Sequence, residues 1–245
     1  MKNNRKLIQY GLICLILLTV VLKIQNTIVG SAVKANAKSG NEVAAENETN
    51  QISESDMKQE AAGMVEDGSA YTIMGDTEVN EAQMVAYFHS SGHTYPSEGL
   101  GAGGAPTIED YCKIYLEEAQ KEGVRAEIPY VQSLKETGWL QFEGVCDISQ
   151  YNFAGMGATG GDVAGESYAD VRTGIRAQIQ HLKAYATADP LTEACVDTRY
   201  DLVTKASAPY VEWLGQQENP EGYGWATDPG YGLSIKEMIQ SLKNS

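Results

Sequence analysis

The chain has 245 residues, 42% of them hydrophobic, enough for one or two domains with a real core. Eighteen basic residues stand against 33 acidic ones, a formal charge of −15, which excludes the basic footprint of a nucleic-acid binder. Residues 1–37 hold five bases and no acid, so the remainder sets 13 bases against 33 acids, a net −20.

The N-terminus explains that split. "MKNNRK" is a basic leader, followed by sixteen uncharged residues, "LIQYGLICLILLTVVL", before Lys23. As a helix this stretch would rise about 24 Å, short of the roughly 30 Å hydrocarbon core. Snorkelling by Lys23 and extension through "IQNTIVG" would make residues 1–30 an uncleaved membrane anchor. Ala35-Asn36-Ala37 offers the other reading, the cleavage site of a signal peptide. Both keep the basic leader inside and export the rest. The expected location is therefore the cell membrane, single-pass with the domain outside, or the exterior after cleavage near Ala37. Cys14 reads as an apolar member of the stretch.

Residues 31–70 are rich in Glu, Asn, Ser and Ala and contain no aromatic, the composition of a disordered acidic tether. From Tyr71 to Ser245 the chain reads as one mainly helical domain. "VNEAQMVAYFH" has Val79, Met84, Val85 and Phe88 near helical spacing, and "HTYPSEGLGAGGAP" reads as a loop. Thr107 with Asp110 forms a capping box opening "IEDYCKIYLEEAQKEG", whose stop is Gly123. "AEIPYVQSLKETG" has Pro129 in its first turn and Gly138 as C-terminal cap. "VRTGIRAQIQHLKAYA" spaces Val171, Ile175, Ile179, Leu182 and Ala186 by three or four residues. Ser234 and Glu237 form a second box ahead of the last helix.

Cys112, Cys146 and Cys195 have no metal-site spacing; they form one disulfide with a leftover thiol, or stay three free thiols. No metal and no other cofactor is expected. The histidines are His89, His93 and His181, without a nucleophile elbow or cysteine-protease signature. His181 is expected on a solvated helix face.

Glu136 stands out. It closes a helix, where the negative end of the macrodipole disfavours a carboxylate, and Trp139 beside it would desolvate it. Both effects raise the carboxyl pKa and suit a general acid, which glycoside cleavage needs at the departing oxygen. "QYNFAGMGATGG" brings Tyr151, Asn152 and Phe153 together with glycines that allow close approach of backbone to a flat ligand. "GYGWATDPGYGLSI" crowds Tyr223, Trp225 and Tyr231 around Asp228-Pro229.

Together the three stretches resemble the family-73 glycoside hydrolases, bacterial N-acetylglucosaminidases that cut cell-wall peptidoglycan and share a lysozyme-like fold with lytic transglycosylases. Glu136-Thr137-Gly138-Trp139 matches the acid–small–Gly–Trp motif. Asn152, Gly155 and Met156 match Asn-x-x-Gly-Ile/Met, and Trp225-Ala226-Thr227-Asp228-Pro229-Gly230-Tyr231 matches Tyr-Ala-Thr-Asp-Pro-x-Tyr. The resemblance spans about residues 107–245. It implies a mainly α, lysozyme-like domain with a glycine-rich groove and little β structure. It also implies Glu136 as general acid acting on glycan strands, with Trp139, Tyr151, Asn152, Phe153, Tyr223, Trp225, Asp228 and Tyr231 as substrate contacts.

Three departures stand beside the match. Thr137 replaces Ser; Phe153 lies one place early; Trp225 replaces a Tyr whose hydroxyl is thought to assist catalysis. Only 13 residues separate Met156 from Asp170, where relatives often carry a hairpin with a second carboxylate. Glu166 is the candidate for that acid, with Asp162 behind it. The substrate's acetamido group is the substitute, with Tyr151 or Tyr223 supplying a hydroxyl. The expected protein is a monomeric peptidoglycan hydrolase. A lytic transglycosylase and a catalytically silent wall-binding module remain the alternatives.

Overall fold

Helix boundaries mostly follow the caps written in the sequence. The computed structural model describes residues 53–144, 146–158 and 165–245. Among them are α1 (Glu54–Asp67), α2 (Glu81–Ser90), α3 (Ser97–Ala102), α4 (Ile108–Glu122), α5 (Glu127–Glu136), α6 (Val171–Ala186) and α7 (Tyr231–Lys243). Single 3-10 turns lie at Ile148–Gln150, Tyr200–Leu202 and Val211–Leu214. Asn80 caps α2 through Gln83, Thr107 caps α4 through Asp110, and Gly123 closes α4 in the left-handed region. Extended pairing among the described residues is limited to isolated bridges: Thr72 with Tyr210, Met74 with Val124, Gly215 with Ala226.

The domain is built around α5. Every residue from Glu127 to Leu134 is buried, so this helix is covered on all sides. α7 and α6 pack on it, and α4 packs on α6. Tyr111 meets Tyr115 and Phe153 edge-on at 5.1 and 5.2 Å, filling the space between α4, α5 and the 151–153 segment. Buried Glu118 on α4 binds Arg172 and Arg176 of α6 at 2.6 and 2.7 Å. Burial raises the Glu118 pKa, but Arg176, Lys121 and Arg172 outweigh it and hold the carboxyl at about 2.

Three expectations are corrected. Residues 54–67, placed in an unfolded tether, form α1, with a complete capping box at Ser53 and Gly68 as cap. The acidic composition hides a stripe, Met57, Ala61 and Met64, at helical spacing. Ala61 is fully buried, and Lys236 of α7 donates to the Ser69 carbonyl at 2.9 Å while touching the Met64 sulfur. The "HTYPSEGLGAGGAP" loop contains the short helix α3, with Leu100 buried. α7 starts three residues before Ser234, because the Asp228-Pro229-Gly230 turn leads directly into it. Ser234 donates to the Tyr231 carbonyl inside the first turn rather than capping.

Cys112 and Cys195 are free thiols. No helix among the described residues is long and apolar enough to cross a membrane; the expected anchor, residues 1–30, lies outside them.

Candidate functional site

α5 ends in an unusual turn. Thr137 donates its hydroxyl to the Ser133 carbonyl at 2.6 Å and accepts the Leu140 N–H at 2.9 Å. The chain then runs left-handed through Gly138, Trp139 and Leu140, with φ of 57°, 57° and 64°. This conformation costs a side-chain-bearing residue roughly 1–2 kcal/mol. Backbone bonds from Trp139 to Leu134 at 2.7 Å and from Phe142 to Thr137 at 3.0 Å offset it, with Leu140 fully buried as an anchor. The turn leaves Glu136 as the last helical residue.

Glu136 lines a cavity of about 200 Å³ with Thr137, Phe142, Cys146, Asn152, Gly155 and other residues of this loop region. Gly155 has φ 62°, and a Cβ there would come within 4.0 Å of the Glu136 Oε2 atom. Glycine thus serves both the turn and the open approach to the acid. Glu136 is exposed as a residue, yet protein packed near its carboxyl group partly desolvates it. That desolvation raises its pKa above the usual carboxylate range; Asp228 adds to the rise, and Tyr231 and Lys135 oppose it.

A line of buried polar side chains leads to this carboxyl. Tyr231 donates to Glu136 Oε1 at 2.5 Å and accepts from Gln132 Nε2 at 3.0 Å. Gln132 Oε1 accepts from Gln178 Nε2 at 2.9 Å, and Gln178 Oε1 accepts from the Tyr115 hydroxyl at 2.7 Å. Gln178 also donates to the Pro129 carbonyl at 3.0 Å, which fixes its amide orientation. The sequence carried one local clue: Gln132 stands four residues before Glu136, on the same face of α5. Gln178 and Tyr115 had none.

The other site residues are distributed unevenly. Asn152, 1% exposed, lines the Glu136 cavity and clamps its own loop, with Oδ1 accepting from Met156 N at 3.0 Å and Nδ2 donating to Met156 O at 2.9 Å. Phe153 is fully buried between Tyr111 and Phe142, so it packs the core instead of facing a ligand. Tyr151 is buried with its ring against Gly103 and Val171. Trp139 packs on Tyr87 at 5.2 Å and stacks on His93 at 6.4 Å, outside the Glu136 cavity. Tyr223 and Asp228 are exposed, and Trp225 is half-buried. The hydroxyl that reaches the acid belongs to Tyr231 rather than to Tyr151 or Tyr223. Glu166 fastens its backbone to Met156 and Asn152, and its side chain lies over Gly157, outside the Glu136 cavity. Asp162 lies outside the described residues.

Tyr231→Phe removes the donor that stabilises the charged form of Glu136. The Glu136 pKa should rise further, and an NMR titration of its side-chain carboxyl would show the midpoint move to higher pH. An unchanged or lowered midpoint would mean that the hydroxyl does not act on the acid.

The family model named Glucosaminidase, described as mannosyl-glycoprotein endo-beta-N-acetylglucosaminidase, matches residues 112–244, more than half of the chain. An uncharacterized protein of Borreliella burgdorferi is 37% identical over 135 residues, 55% of this chain. The matched stretch spans 63% of that relative's length. No solved structure gives a significant match.

Proposed function

The chain belongs to the Glucosaminidase family of glycoside hydrolases, and on that premise we propose that it is an endo-β-N-acetylglucosaminidase of bacterial cell-wall peptidoglycan. It cuts the β-1,4 bond after N-acetylglucosamine. Glu136 is the general acid, and the observation that carries this role is its carboxyl at the wall of a cavity, held by the Tyr231 hydroxyl and raised in pKa. A protonated Glu136 delivers its proton to the departing oxygen as the bond at the anomeric carbon breaks. Among the described residues no second carboxylate lines that cavity, which supports a route in which the 2-acetamido oxygen of the substrate attacks the anomeric carbon and water then opens the cyclic intermediate. The domain has the lysozyme-like arrangement and works as a monomer outside the membrane, behind the N-terminal leader.

A lytic transglycosylase would use the same acid but close an anhydro ring, leaving its product one water lighter. Mass spectrometry of muropeptides released from purified walls separates the two. The expected product ends in a reducing N-acetylglucosamine; an anhydro sugar would overturn the hydrolase assignment.

A further inference from the structure

Beside the Glu136 cavity lies a second one, of about 180 Å³, walled by the 154–158 backbone turn and by His181, Tyr185, Arg199 and Trp225. Gly155 and Ala158 border both cavities, so a single turn of chain separates Arg199's cavity from the acid. His181 is buried here, not solvated as its place on α6 had suggested. Asp197 is responsible: sixteen residues on, its Oδ2 meets His181 Nδ1 at 2.7 Å. Edge-on contacts with Trp225 and Tyr185, at 5.0 and 5.5 Å, fix the ring.

Asp197 is itself fully committed. Its Oδ1 accepts the Arg199 backbone N–H at 2.9 Å, and Gln180 Oε1 accepts the Val196 and Asp197 N–H groups. The carboxylate that orients the Arg199 backbone therefore does not take its guanidinium. Among the described residues that guanidinium makes no ion pair, while it lines the cavity half-buried. Among the described residues, His181 Nε2, left over by the bond at Nδ1, makes no hydrogen bond to protein either. The cavity thus combines a preoriented imidazole, a planar cationic fork and an indole. Such a set takes a carboxylate attached to an otherwise uncharged ring.

We propose that this cavity binds a carboxylate carried by the sugar next to the scissile bond. The inference rests on the glycan-hydrolase reading and deepens it. In peptidoglycan every second sugar bears an O-lactyl group, whose carboxyl is either free or extended into a peptide stem with carboxylates of its own. A chain with formal charge −15 would repel such a polymer, so a cation set one turn from the acid also fixes the register of the strand.

Calorimetric binding and steady-state cleavage by the full chain test this on three soluble saccharides. These are chitotetraose, an alternating tetrasaccharide with free lactyl carboxylates, and the same tetrasaccharide carrying stems. Arg199→Ala should weaken binding of the carboxylate-bearing saccharides about tenfold, raise KM in step with little change in kcat, and leave chitotetraose unaffected. Arg199→Lys should recover part of the loss. A loss already seen with free lactyl groups assigns the lactyl carboxylate; a loss confined to the stem-bearing saccharide assigns the stem. Equal losses on all three saccharides, or no loss on either acidic one, would overturn the inference while normal cleavage kept the hydrolase reading intact. A wild-type chain that neither binds nor cleaves any of them would sink both.

Discussion

Glu136→Gln should lower glycan cleavage at least about 10²-fold, the lower end of what general acid catalysis contributes. Glutamine keeps the shape and still accepts the Tyr231 hydrogen bond, but it has no proton to give. Binding to purified walls should persist, since both cavities keep their walls. Stability makes an independent check. A carboxyl whose folded pKa is raised supports the fold only below its unfolded value, and that support is lost as pH rises through the folded value. At neutral pH the unfolded carboxyl ionises freely while the folded one is held back, so Glu136 costs the wild-type fold stability that glutamine restores. The melting midpoint of the variant should hold or rise at pH 7, and the difference should vanish in acid. Glu166→Gln, outside the cavity, should retain most of the turnover; a loss as deep as that of Glu136→Gln would make it a second catalytic carboxylate. Near-full activity of Glu136→Gln would overturn the assignment of the acid.

Gly174→Ala should cost the domain a close approach of α6 to the chain at Tyr151. α6 lies so close to the 151–153 segment that a Cβ on Gly174 would sit 1.9 Å from the Tyr151 carbonyl oxygen and 3.4 Å from the Phe153 ring. The obstacle is backbone, which no rotamer change relieves. Overpacking of this kind costs about 1–3 kcal/mol or more, so the midpoint should fall by roughly 5–10 °C. Cleavage should fall as well, because Tyr151 precedes the Asn152 clamp of the Glu136 cavity. The same chemical change at Gly63, where a Cβ meets nothing within 4 Å inside α1, should raise stability by up to about 1 kcal/mol. Opposite signs from one added methyl would identify the contact rather than the residue type as the cause. An unchanged midpoint for Gly174→Ala would refute the close approach.

Local signals were legible and long-range ones were not. The box at Thr107 and the stripe of α6 act within one or two turns, so the chain itself states them. The place of Glu136 at the end of a helix was legible from the helix stop, and the structure puts it there beside a cavity. α1 was missed because its charged face dominates the composition, and its apolar stripe matters only against α7. Phe153 and Tyr151 sit in a stretch that looks like a ligand platform, but the Gly103 and Gly174 contacts that bury it come from elements distant in sequence. Nothing local ties Tyr231 to Glu136 across 95 residues, or leaves the Arg199 guanidinium without an ion pair among the described residues.

The line of side chains from Tyr115 to Glu136 has a direction: each member hands its hydrogen toward the acid, and none points back. Water around an exposed carboxyl would have to turn its dipoles as the proton left. Here the dipoles already face the charge that appears, held by Pro129 and by the walls of α4, α5 and α6. In the proposed reaction, the anion left when Glu136 gives up its proton would meet a polarised medium that needs no rearrangement. Burial that makes the acid reluctant to ionise and a frozen, aligned solvent that receives the anion thus act on successive sides of one proton transfer.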